Sequence, residues 1–82
     1  MTDNEIMAGI VEVLYKAKLR GDGWLSIDEI IKDWGEERDR VLKIADFMRQ
    51  KKNPLVKFVA TSATMEITKE GIEEYERTHK VE

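Results

Sequence analysis

Apolar residues recur along this chain in two rhythms, and each change of rhythm marks a change of element. Ile6, Met7, Ile10, Val11, Val13, Leu14, Ala17 and Leu19 repeat at the three-and-four spacing of a helix, on a face wider than one groove of a small domain needs. Asp3 or Asn4 can cap that helix, and Thr2 with Glu5 offers an overlapping capping box. Gly21-Asp22-Gly23 ends it in a turn, and Trp24-Leu25 is a short extended segment of the kind that pairs with a hairpin as a third strand. Ser26 stands three residues before Glu29, so its hydroxyl can cap a helix starting at Ile27 while the Glu29 carboxylate reaches back to the Ser26 amide. Ile27, Ile30, Ile31 and Trp34 form the buried face of that helix, and Gly35 can enter the left-handed region that stops it. Glu36 to Asp39 open the next helix, in which Val41, Ile44, Ala45 and Met48 face the core and Arg38, Arg40, Lys43 and Asp46 face outward.

After Met48 the rhythm shortens to alternation. Lys52-Asn53-Pro54 breaks the helix, because the residue before a proline leaves the helical region and the proline supplies no amide hydrogen. Leu55 to Ala60 and Thr64 to Ile67 then read as two strands, with Thr61-Ser62-Ala63 near a tip that lacks a tight-turn pair and is expected to be a mobile loop of several residues. Thr68 caps a last helix to about His79, where Ile72 and Tyr75 make one thin apolar stripe beside Glu70, Glu73, Glu74, Glu76 and Arg77. The expectation is one domain over residues 1–82, mainly α with a small β-hairpin (α+β), in the order helix, strand, helix, helix, strand, strand, helix.

Composition narrows the function. With 41% hydrophobic and 38% charged residues in 82, the apolar positions are dispersed and no run could span a bilayer, and the polar start Thr2-Asp3-Asn4-Glu5 does not resemble an export signal. Absence of cysteine removes disulfides and thiolate metal sites, which fits a cytoplasmic protein held by packing alone. Neither a metal nor an organic cofactor is expected. His79 is the only histidine and sits at the end of the last helix, Glu73 and Glu74 diverge on that helix, and no glycine-rich loop precedes a helix, so enzyme chemistry has little support. Trp24 and Trp34 read as packing residues rather than base-stacking platforms. The net charge of -3 is unusual for a nucleic-acid binder, but the acid excess lies at the two ends, and Arg49, Lys51, Lys52 and Lys57 form a stretch with no carboxylate among them.

Two segments carry a family resemblance. Ser26-Ile27-Asp28-Glu29-Ile30-Ile31 resembles the capped short helix, and Ile67-Thr68-Lys69-Glu70-Gly71-Ile72 the strand-to-helix junction, of winged helix-turn-helix proteins, especially the small stand-alone members of archaea and their mobile elements. The resemblance implies a helix-turn-helix over about 26–52, a wing over about 55–67 and a closing helix over about 69–79, with Gly71 letting that helix pack tightly. It implies a sequence-specific, duplex DNA-binding transcriptional regulator whose second paired helix enters the major groove. Arg38, Arg40 and Lys43 would then touch bases or phosphates, and Arg49, Lys51, Lys52 and Lys57 would hold the backbone. A homodimer through the first and closing helices is expected from the wide apolar face of the first. Glu36, Glu37 and Asp39 stand at the groove-entering end and the wing tip has no cation, which keeps open a second reading: a winged-helix protein-interaction module without DNA binding.

Overall fold

Thr2 decides where the first helix begins. In the computed structural model, which describes residues 1–79, its hydroxyl accepts from the Glu5 amide at 3.2 Å while the Glu5 carboxylate accepts from the Thr2 amide at 2.7 Å. Helix α1 therefore spans Asp3–Leu19, with acids in its first turn and Lys16 and Lys18 in its last, both favourable to the helix dipole. Strand β1 (Leu25–Ser26) follows, then helices α2 (Ile27–Ile31) and α3 (Arg38–Arg49), strands β2 (Val56–Val59) and β3 (Thr64–Ile67), and helix α4 (Lys69–Thr78). Among the described residues this makes a mixed fold of four helices and one antiparallel three-stranded sheet, ordered β1-β3-β2.

The element order is the expected one, and so is the inward face of α3, where Val41, Ile44, Ala45 and Met48 are all buried. They join Ile6, Ile10, Leu14, Ile27, Val56 and Met65 in a single core. Met65 sits at the centre of the sheet, opposite Leu25 on one side and Phe58 on the other.

Several boundaries differ from expectation for physical reasons. Regular α2 ends at Ile31, and Trp34 lies in the turn beyond it, with its amide on the Ile31 carbonyl at 2.9 Å. The Trp34 ring crosses Gly9 of α1 so closely that a Cβ there would stand 3.0 Å from its Cζ2 and Cη2 atoms. Gly35 adopts φ +69° and turns the chain, as its position suggests. Glu29 meets the Ser26 hydroxyl at 3.2 Å rather than the Ser26 amide, since Ser26 is also the last residue of β1. Helix α3 starts at Arg38, two residues after Glu36, and its cap residue Glu37 makes no side-chain cap.

The hairpin tip is anchored as well as exposed. Ala63 adopts φ 51° yet is buried, and its carbonyl accepts from the Ile27 amide at 2.8 Å, so the loop expected to be mobile is tied to the start of α2. Thr61 and Ser62 remain at the surface. Most of the wide apolar face of α1 is covered: α1 packs against α3, α4 and β3 at once, so Ile6, Ile10, Val11, Leu14 and Ala17 are buried, while Met7 and Val13 are half-buried. Leu19, 71% exposed, is the large apolar residue of α1 left in solvent.

Candidate nucleic-acid interface

Helix α3 turns Val41, Ile44, Ala45 and Met48 inward, which leaves Asp39, Lys43, Asp46 and Gln50 along the opposite stripe at helical spacing. That outward stripe holds two carboxylates, one ammonium and one amide. Asp46 accepts from Gln50 Nε2 at 2.7 Å and also pairs with Arg49. Phe47, 56% exposed, flanks the stripe, and the Lys51 ammonium lies over its ring, 5.1 Å from the centroid.

The seven cations singled out from the sequence divide into three groups. Arg38, Arg40 and Arg49 are each held by carboxylates: Arg38 by Asp28 at 3.0 Å, Arg40 by Glu36 at 2.8 Å and Asp3 at 2.9 Å, and Arg49 by Asp46. Arg40, expected to face outward, instead lies half-buried against the start of α1. Lys43, Lys51 and Lys52 are exposed and have no carboxylate partner among the described residues. Lys57 is set apart. Val56 and Phe58 point into the core, so alternation puts Lys57 on the outer face of the sheet, 3.7 Å from Glu66, which also meets Lys18 at 3.8 Å. The carboxylate-free stretch of the sequence is thus divided between the end of α3 and the far side of the hairpin.

Glu36 plays a part that sequence reasoning missed. Its carboxylate receives the N-terminal ammonium at 3.1 Å and Arg40 at 2.8 Å, while Arg40 reaches on to Asp3. This four-group cluster fastens the start of α1 to the turn before α3. The Glu36–Arg40 spacing of four was readable as a helical ion pair, but Asp3 is 37 residues from Arg40 and no local rule links them. The hydrogen bond from the N-terminal ammonium, followed by Arg40, holds the Glu36 carboxyl below its ordinary pKa. The Thr2 amide and hydroxyl do the same for Glu5. Both carboxyls bind protons less readily folded than unfolded, so their stabilisation is present above the ordinary carboxylate pKa and is lost as pH falls through the lowered value. Melting temperature measured from neutral pH downward should therefore decline on the acid side, and Glu36→Gln should flatten that decline; an unchanged acid limb would show that Glu36 carries none of it.

Among the described residues, no group of histidine, cysteine or acidic side chains is placed to hold a metal. No described helix is long and apolar enough to cross a membrane. Comparison with family models, with curated proteins and with solved structures returned no match.

Proposed function

We propose that the chain is a small winged helix-turn-helix domain, of the kind found in archaea and their mobile elements, that binds duplex DNA in the cytoplasm and regulates transcription. The observation that carries the reading is the pair α2 and α3 joined by a turn at Gly35 and followed by an antiparallel hairpin, with the outer stripe of α3 left uncovered. Its contacts are offered by Lys43 on the outer stripe, by Lys51 and Lys52 just beyond α3, and by Lys57 on the hairpin. Gln50 is suited to adenine and Asp39 to cytosine N4. Arg38, Arg40 and Arg49 would have to leave carboxylates to reach phosphate, and Lys57 would have to leave Glu66, so they contribute less than Lys43, Lys51 and Lys52.

A binding titration with pooled duplexes tests the reading. The three unpaired lysines, joined by Lys57 once it leaves Glu66, give a log–log salt slope of about -3 to -4. Charge-removing variants of Lys51 and Lys52 should each reduce that slope by about one. No binding at about 50 mM salt would favour the second reading, a protein-interaction module, which the two carboxylates on the α3 stripe and the three neutralised arginines support. Of the apolar residues that motivate a homodimer through α1 and α4, Ile6, Ile10, Val11 and Leu14 are buried within the protomer, which leaves the half-buried Met7 and Val13 for a partner copy. A solution mass near 9.6 kDa at all concentrations removes it.

A further inference from the structure

Of the large apolar side chains on α3, Phe47 is the one left exposed. It stands four residues after Lys43 and four before Lys51, so an apolar ring lies between two ammoniums that have no carboxylate partner among the described residues. Resting on the DNA-binding reading above, we infer that the Phe47 ring reads the 5-methyl group of a thymine in the major groove, while Lys43 and Lys51 hold phosphates on either side of it.

Charge brings a duplex to the ring. The carboxylates beside Phe47 are already engaged: Asp46 by Arg49 and Gln50, and Asp3, which shares a recess with Phe47, Met7 and Lys43, by Arg40. Asp39 is eight residues back, about 12 Å along the helix axis. The uncompensated charge around the ring is therefore positive. The Lys51 ammonium lies 5.1 Å from the ring centroid, and because the ring has no charge to cancel it, Lys51 can meet a phosphate without leaving Phe47. The chemistry of the groove then selects the base. Guanine, adenine and cytosine present only hydrogen-bonding groups there, and an apolar ring laid against them removes water and returns no partner. Thymine alone presents an apolar group, its methyl, whose burial against the ring is favourable.

The test starts from duplexes selected by the full chain out of a random pool. Each thymine of a selected duplex is replaced in turn by deoxyuridine, which removes the methyl and nothing else. At least one replacement should weaken binding about fourfold, the worth of one buried methyl. The same replacement should have no effect on binding by Phe47→Ala, and Phe47→Gln, polar at this exposed position, repeats the comparison if alanine disturbs the fold. Equal binding of every deoxyuridine duplex by the parent chain, or a loss that persists in the variants, would overturn the assignment and leave the DNA-binding reading standing. Enrichment of no duplex would overturn both, and is the result a protein-interaction module would give.

Discussion

Replacing Gly71 by alanine is expected to destabilise the domain by about 3 kcal/mol or more, although the same change in an open helix gains about 1 kcal/mol. The sign reverses because of what lies beside α4. A Cβ at position 71 would stand 2.1 Å from the Leu55 carbonyl oxygen and 2.6 Å from Ile67 Cγ1. The Ile67 side chain can move, but the Leu55 carbonyl is backbone and accepts the Thr68 amide at 3.0 Å, so relief means breaking the strand-to-helix junction. Denaturant unfolding of the variant checks this, and a stability equal to or above that of the parent would show that α4 can slide without loss.

Thr68→Ala should cost about 2–3 kcal/mol, and Thr68→Ser less than about 1 kcal/mol. The threonine hydroxyl does two things at once. It accepts from the Gly71 amide at 3.0 Å, capping α4, and donates to the Pro54 carbonyl at 2.7 Å, tying that helix to the chain entering the hairpin. Thr68 is 8% exposed, so water does not readily replace either partner once the hydroxyl is gone. Serine keeps both bonds and loses one methyl. If the alanine and serine variants unfold at the same denaturant concentration, the hydroxyl is not what holds this junction.

Residues that act through periodicity were legible in the sequence. The inward face of α3 and the cap at Thr68 follow from spacing and local chemistry, and the structure places them accordingly, while the tight packing at Gly71 was implied only by the family resemblance. What escaped was pairing at a distance. Arg40 looks solvent-facing on a helical projection, and only the approach of α1 supplies Asp3. The enclosure of α1 is of the same kind, since its wide apolar face is equally suited to a partner copy or to three neighbours in its own domain. Lys57 is different: Val56 and Phe58 already declared which face of the strand is buried, so its separation from Lys51 and Lys52 could have been deduced from alternation alone.

The bond from the Ile27 amide to the Ala63 carbonyl has a consequence for any duplex that meets both α3 and the hairpin. It joins the tip of the hairpin to the helix that leads into α3, and β1 pairing with β3 adds a second tie. The gap between the two surfaces is therefore set by the protein before contact, like the jaws of a locked caliper. The adjustment then falls on the nucleic acid, whose readiness to widen a groove or kink varies with its dinucleotide steps. On the proposed DNA-binding reading, flexible pyrimidine–purine steps at positions the protein never touches would form part of the recognised sequence.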